Sequence, residues 1–568
     1  MYHMETPAEL RPISPTPETL IPNPAAIIVP RRHHEVLIEP PAAELAQFLA
    51  AYLAAFPTTT RPSPAPCDAV WDTSIDSLAN VARQELMDAI NRFAQETGFP
   101  PPPAVSFTRP WVITGHQVEF YHTGVWSKVI LTHALANHSR AMAVDLLVDH
   151  DTVDHLGYAL PQWNGSRLEK KMVTWGDASA LPAEFLSSPQ GEQKTQWLRE
   201  LQQFPLVQTD ALRDFTQGLR QDPDADYVRW MSRARRNFEH SFGINVQHVP
   251  CSYICSGLAW HSFVLLWLRH ARSWCAIYNS ALEQYRVEQR IVNPGRPMPN
   301  LAITPQELEL PFWIYAKDQP RHRLALYQDN GLYLQLGTQR IDVTDLMTGE
   351  LLTAAETLRR RLAVAGLHVR PRALTLTMFV RLLLSDLFIH GIGGAMYDQM
   401  TDRVMDQLFG VHPAYACASA GWLLPVAGQI NQSGTNISQL KWRQHHLKSN
   451  PELLAPSSLT DEAADRAKRR HDLISDIARS LAEDQRQHRR RGPHWLLRRA
   501  KFRDLHEINA QLLAMFQPQV DAMDLHMRQA EVTQNNLSVA SWREYFIALH
   551  PRASLQRLIT EIQSRVSA

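Results

Sequence analysis

Long apolar runs are missing from this chain of 568 residues, and cysteine is scarce. No stretch approaches the roughly 18 apolar residues that a bilayer-spanning helix needs, so no transmembrane segment is expected. The amino terminus carries Glu5 and Glu9 and has no basic segment followed by an apolar run, so no secretory signal is read there. Cys67, Cys251, Cys255, Cys275 and Cys417 are too few, and odd in number, for a disulfide framework. The expected compartment is the reducing cytoplasm. Cys251 and Cys255 have a spacing that suits a metal, but no second cysteine pair or His-x-His cluster lies near them. They are read as buried thiols, and no metal site is assigned. An excess of one charge sign is missing too. Lysine plus arginine and aspartate plus glutamate number 57 each, so nothing pulls the whole molecule toward nucleic acid, membrane or acidic substrate.

Proline, by contrast, is plentiful, at 38 residues, and it punctuates the chain. Pro12 to Pro41 reads as an extended arm, and a helical pattern from Ala42 to Phe56 follows. A second proline cluster, Pro57 to Pro66, separates this from a helix at Ile75 to Thr97 that Pro100 to Pro103 ends. A β-α-β unit comes next: strand Trp111 to Ile113, a polar loop, helix Val125 to Asn137 and strand Ala141 to Val148. Leu168 to Trp175 reads as a strand. Leu324 to Tyr327 and Leu332 to Leu336 read as a hairpin turning at Asn330-Gly331, in an insertion or at a sheet edge. Helices are expected over Asp210 to Phe242 and Gly257 to Ile291, with a strand at Ile244 to Val249 between them. After the strand-like Leu367 to Val369, a further helical stretch is expected to end near His390.

From Leu459 the apolar residues recur in steps near three and four, at Ala463, Ala467, Ile474, Ile477 and Leu481, and again at Leu505, Ile508, Leu512 and Met515. Two long helices folded about Gly492-Pro493 make an antiparallel coiled-coil hairpin. Its tip crowds Arg486, Arg489, Arg490, Arg491, Arg498, Arg499, Lys501 and Arg503; this reads as a solvated face, with an anionic partner as the alternative. The segment Ser541 to Ile562 is aromatic and apolar enough to pack back on the core. The expected organisation is an arm and helices over 1–105, an α/β core over 106–440 with an inserted connecting region at about 165–365, a coiled-coil arm over 441–536, and a returning segment over 537–568.

Three groups of residues suit chemistry. Thr114-Gly115-His116-Gln117 stands where a strand ends, with Thr123-Gly124 at a helix start and Lys128 in its first turn. Free amides at a helix start and a lysine suit a phosphate or carboxylate. Asp149-His150-Asp151, with Asp154 and His155, emerges from the carboxyl end of the next strand, and so many ionisable groups are hard to explain by packing. They serve as general acid or base, or as ligands of a divalent ion; spacing does not choose. Gly391-Ile392-Gly393-Gly394, preceded by His390 and followed by Tyr397, Asp398 and Asp402, permits close approach of backbone to a ligand or a sharp turn before a helix.

Taken in order, these groups resemble the pattern of the bacillithiol-biosynthesis cysteine-adding enzymes, with Thr114 to Gln117, Gly124 to Lys128, Asp149 to Asp151, His390 to Gly393 with Tyr397, and the coiled coil from Leu459 to Asn535 as the matching stretches. The resemblance implies a Rossmann-like core of nucleotidyltransferase type with a helical insertion and a C-terminal antiparallel coiled-coil arm. It implies ligation of cysteine to an amino-sugar-type acceptor, a carbon–nitrogen bond-forming reaction. Carried over residue by residue, His116, His150 and Asp151 sit at the reacting centre. Thr114, Gly115, Gln117, Lys128, Asp149, Asp154, His155, Gly391, Gly393, Gly394, Tyr397 and Asp398 then line the substrate pocket. The cofactor stays open, with a nucleotide such as ATP as the candidate. The chain departs from the family pattern at His116 for glutamine, Val125 for proline, Val148 for glutamate and Gly394 for an acidic residue.

The expected partner is a small-molecule substrate, without membrane or nucleic acid, and a homodimer through the coiled coil is compatible with the paired heptads. Two other functions fit the residues: a metal-dependent hydrolase using Asp149, His150, Asp151 and His155, and a non-catalytic scaffold built on the coiled coil. Every enzymatic reading requires the strand end at His116, the cluster at His150 and the glycine turn at Gly393 to meet around one cavity.

Overall fold

The structure, a computed structural model, describes residues 20–55, 75–102, 109–153, 156–176, 179–202, 210–220, 226–430, 437–454, 459–486 and 495–568. Its strands are β1 (Glu35–Glu39), β2 (Trp111–Gln117), β3 (Met142–Val148), β4 (Gly157–Asn164), β5 (Arg167–Thr174), β6 (Gln247–Pro250), β7 (Glu307–Ala316), β8 (His322–Gln328), β9 (Leu332–Leu336), β10 (Gln339–Asp342), β11 (Leu367–Pro371), β12 (Leu387–His390) and β13 (Tyr415–Gly421). The chain divides into two compact units: Met1–Leu160 with Lys171–Leu424 and Trp542–Ala568, and Pro161–Lys170 with Pro425–Ser541. No helix among the described residues is long and apolar enough to cross a membrane.

The first unit is mixed α/β. Its main sheet has the order β1-β13-β12-β2-β3-β6. From β13 to β6 all neighbours are parallel, and only the edge strand β1 runs antiparallel. Both faces of such a sheet are covered, which is why β3 and β13 are buried along nearly their whole length. Chain order grows outward from β2, first to β3 and β6, then on the other side to β12 and β13. The direction of winding therefore reverses between β2 and β12, where an open sheet leaves a crevice beyond its carboxyl ends. A second, antiparallel sheet has the order β10-β9-β8-β7-β11. Its β8–β9 hairpin turns at Asn330 (φ 50°) and Gly331 (φ 147°), the positive angles expected of that dipeptide.

Several expectations need correction. Thr114 to Gln117 is not a loop: β2 runs through Gln117, paired residue for residue with Met142 to Val148. Its polar residues are accommodated because Thr114 Oγ1 donates to the Ile389 carbonyl at 2.8 Å, and because Gly115 lies where an added Cβ would stand 3.1 Å from Leu146. The stretch before His390 is not helical to its end. A helix, Ala373–Phe379, passes through a π turn, Val380–Leu384, and the chain then extends into β12. A short, continuous apolar run carries no period that tells helix from strand, and here pairing with β2 and β13 decided it. The helices expected over Asp210 to Phe242 and Gly257 to Ile291 are present, as Asp210–Arg220, Tyr227–Ser241, Leu258–Arg269 and Ala271–Glu288. Residues 165–365 are not wholly an insertion, since β6 belongs to the main sheet. The arm, from residue 20 onward, supplies β1 as a sheet edge.

The second unit is helical, with the β4–β5 tip at Pro161–Lys170 as its only described strand segment. Its helices Asp461–Arg486 and Trp495–Met515 run antiparallel, laced by Arg466–Gln511, Arg470–Asn509, Asp476–Lys501 and Asp484–Arg498. Ala463, Ile508, Leu512 and Phe516 form the buried core of this hairpin. The expected turn at Gly492-Pro493 and the tip residues Arg489 to Arg491 lie outside the described residues. Asn536 closes the unit by accepting from the Leu168 amide at 2.8 Å and donating to the Ser166 carbonyl at 2.9 Å.

Candidate functional site

A cleft of about 580 Å³ opens beyond the carboxyl ends of β2, β3 and β12, at the point where the winding reverses. Gly115, His116 and Gln117 line it from β2, His150 and Asp151 from the end of β3, and His390 to Gly394 from the end of β12. The helix Thr123–Ser139 contributes Gly124 and Lys128, with His122 just before it. The antiparallel sheet and its flanks add Trp313, Arg321 and Arg372, and the returning segment adds Arg543. The three groups marked in the sequence thus share one cavity.

Two helices begin at this cleft, and they differ in their ends. Thr123–Ser139 is capped by His122, whose Nδ1 accepts the Gly124 amide at 3.0 Å. Glycine is needed at 124, because an added Cβ would fall 2.8 Å from the His122 ring and 3.0 Å from Ser419 Oγ. Burial, assisted by the Arg543 charge, lowers the His122 pKa to about 3, so the imidazole stays neutral with its proton on Nε2. The helix Ile392–Phe409, by contrast, starts at Gly391 with no side chain on its first amides. Those donors and the positive end of the helix face the cleft uncovered.

Lys128 is only 4% exposed, and its Nζ donates to the Gly115 carbonyl at 2.7 Å. Burial lowers its pKa to about 8, against the opposing pull of Asp145. At neutral pH it is a buried cation with a carbonyl rather than a carboxylate in contact. Next along the wall, Arg321 donates to Asp151 Oδ1 at 2.5 Å and to the His150 carbonyl at 3.3 Å. Gln117 Nε2 holds the other Asp151 oxygen at 3.1 Å. The guanidinium groups of Arg321 and Arg372 both lie on the Trp313 ring, 5.0 and 4.6 Å from its centre. Four cationic side chains face one carboxylate, Asp151, in this cavity.

Burial holds His150 and His116 as neutral bases. Burial lowers the pKa of His150 to about 4 against the attraction of Asp151, and its buried Nδ1 has no hydrogen-bond partner. His116 stands 3.3 Å from Glu119, and burial lowers its pKa although that carboxylate works in the other direction. His390 is held at 2.6 Å from Asp398 Oδ2 through its Nε2.

Other expected pocket residues lie elsewhere. Thr114 is buried in the sheet, spent on Ile389. Asp149 turns away to accept from the Ser252 amide at 2.9 Å and from the Ser252 hydroxyl. Burial, with Glu184 nearby, raises its pKa to about 7. Tyr397 is 44% exposed and does not line the cleft. Asp398 is buried behind it, where His390, Arg381 at 2.7 Å and Thr377 at 2.8 Å share its carboxylate; burial works to raise its pKa, but the His390 and Arg381 charges hold it down. Asp154 and His155 lie outside the described residues. Among the described residues, no group of three or more His, Cys, Asp or Glu side chains is arranged to hold a metal ion.

Trp313, Arg321, Arg372 and Arg543 escape sequence reasoning, because each lies in an unremarkable stretch far along the chain from its neighbours. Arg321 and Asp151 are 170 residues apart. His390 carried a usable signal, a polar residue ending an apolar run just before a glycine turn. No protein-family model matches this chain, and no curated protein matches it.

Proposed function

We propose that the cleft is the active site of a ligase-like enzyme that takes up an anionic small molecule, joining an amino acid such as cysteine to an amino-sugar-type acceptor with a nucleotide such as ATP as cofactor. The observation that carries this reading is a buried lysine without a carboxylate partner, beside the uncapped first turn of the helix Ile392–Phe409, in a cavity where cations outnumber acids. A phosphate or carboxylate satisfies both at once. The order of the parallel strands, third-second-first-fourth-fifth along the chain, supports a Rossmann-like core of nucleotidyltransferase type. Forming a carbon–nitrogen bond from an amine releases a proton. His150, a neutral imidazole on the cleft wall, is suited to receive it, with His116 on the adjacent strand.

Titration calorimetry with ATP, cysteine and glucosaminyl-malate tests the proposal. Heat from at least one is expected, weakened at least tenfold in Lys128→Met; a folded sample silent to all of them discards the reaction. A metal-dependent hydrolase is less well supported, because Asp149 is committed to Ser252 and Asp151 to Arg321 and Gln117. The exposed Leu496, Leu497 and Phe502 of the helical hairpin support our further proposal of a homodimer through that arm. Sedimentation velocity decides it, with Leu496→Glu expected to yield monomers.

A further inference from the structure

We infer that the cleft holds a second anion subsite, built from Arg321 and Arg372 against Trp313, so that its ligand is a small molecule with an anionic group at each of two ends. The inference rests on the reading of Lys128 and the glycine turn as a first anion subsite, and adds to it. Lys128 is tied to Gly115 on β2, and an added Cβ on Gly391, just beyond β12, would lie 3.8 Å from its Cδ. This places the first subsite on the β2–β12 side. Arg321 is fastened just past the end of β3, on the His150 carbonyl and the Asp151 carboxylate. The two positions are thus about 5 to 10 Å apart, one to two strand spacings.

Each arginine has one carboxylate neighbour, Arg321 in Asp151 and Arg372 in Glu309, yet the cleft wall as a whole sets four cations against Asp151 alone. Arg372 Nη2 stands 2.8 Å from Glu309 Oε1, but off the hydrogen-bonding direction. Both its Nε and Nη2 are buried and lack a hydrogen-bond partner. These two nitrogens are closed to the cleft, so an anion there meets Arg372 through the charge of its guanidinium, which lines the wall beside that of Arg321. Trp313 holds both guanidinium planes in position, so little side-chain freedom is lost when the anion arrives. His116 and His150 lie at the ends of β2 and β3, the two strands that carry the subsites. A ligand held at both ends therefore passes before the two neutral bases.

The test uses the full-length protein and alkane-α,ω-bisphosphonates of increasing chain length, with methylphosphonate as the one-ended probe and dicarboxylates of the same lengths as a parallel series. Linking two weak contacts raises affinity only when the linker matches their separation. The bisphosphonate or dicarboxylate of matching length is expected to bind at least tenfold more tightly than its one-ended counterpart, with affinity falling for shorter and longer members. Whichever series shows the larger gain names the anion. Arg372→Gln should remove the gain and leave a single methylphosphonate site, which Lys128→Met abolishes. Arg372→Lys, which keeps the charge, should retain part of it and guards against loss of fold. Affinity independent of chain length, or a gain that survives in Arg372→Gln, overturns the second subsite. Failure of methylphosphonate to bind, or its indifference to Lys128→Met, overturns the first subsite and the second with it.

Discussion

A methyl group added at Gly394 would lie 2.5 Å from His390 Nδ1, whereas one added at Gly393 meets nothing within 4 Å. These neighbouring glycines therefore answer substitution in opposite ways. Gly394→Ala is expected to cost about 1–3 kcal/mol through overpacking and to push His390 off Asp398. Gly393→Ala should be neutral or stabilise by up to about 1 kcal/mol through helix propensity. Urea denaturation of the two variants checks both. Lys128 makes a second prediction at this scale. Its folded pKa of about 8 lies below its usual value of 10.5, so the unfolded chain binds more protons between those pH values. Stability contributed by this residue then rises as pH increases from about 8 to 10.5, and the full penalty, roughly 3 kcal/mol, is present below pH 8. Lys128→Met should remove that slope and raise the melting temperature at pH 7. Anion binding by the unaltered protein should move oppositely, weakening as pH climbs through about 8.

Among the elements, the parallel strands show how each edge of the main sheet is specialised. At the amino edge, Asp386 precedes β12 and accepts from the Trp111 amide of β2 at 2.8 Å, from Arg83 at 2.7 Å and from Tyr52 at 2.7 Å. Arg83 and Asp386 are both buried, so this cluster fastens strands and helices without reaching the cleft. Asp386→Ala strands a buried guanidinium and is expected to cost about 3–5 kcal/mol. The double variant with Arg83→Met should recover part of that loss, and anion binding should stay unchanged in both. Most elements were legible before folding was considered: Ile75–Thr97 has a clean amphipathic period ended by prolines, and β3 is a bounded apolar run. What escaped were β12, expected as helix, the polar half of β2, expected as loop, and β1, β4, β7, β10 and β13, where no strand was expected; their extension depends on the strands they pair with rather than on their own residues alone. Of the site, the polar strand end, the His150 cluster and the glycine turn were legible because polar groups at strand ends have no packing purpose. Asp149 and Asp398 were misread as pocket residues, since a sequence marks that a carboxylate is present without saying which way it turns.

For the molecule as a whole, the division into two compact units has a thermodynamic consequence. All residues lining the cleft belong to the first unit, and the helical hairpin of the second keeps its own buried pair, Asp484 with Arg498 at 2.6 Å. Separate cores unfold as separate transitions. Arg498→Leu is expected to lower one calorimetric transition and leave both the other transition and anion binding unmoved. A single transition shifted as a whole would contradict this. Amino-acid order alone determined many of the helices, the hairpin turn and the long antiparallel pair, because periodicity, proline and glycine act over a few neighbouring residues. Only the tertiary structure decided that Arg321 and Arg372 join Lys128 around one cavity, that Asp398 serves His390 from behind, and that the winding reverses beside β2. Burial and charge pairing are settled between groups brought together across the whole chain, and no local pattern records them.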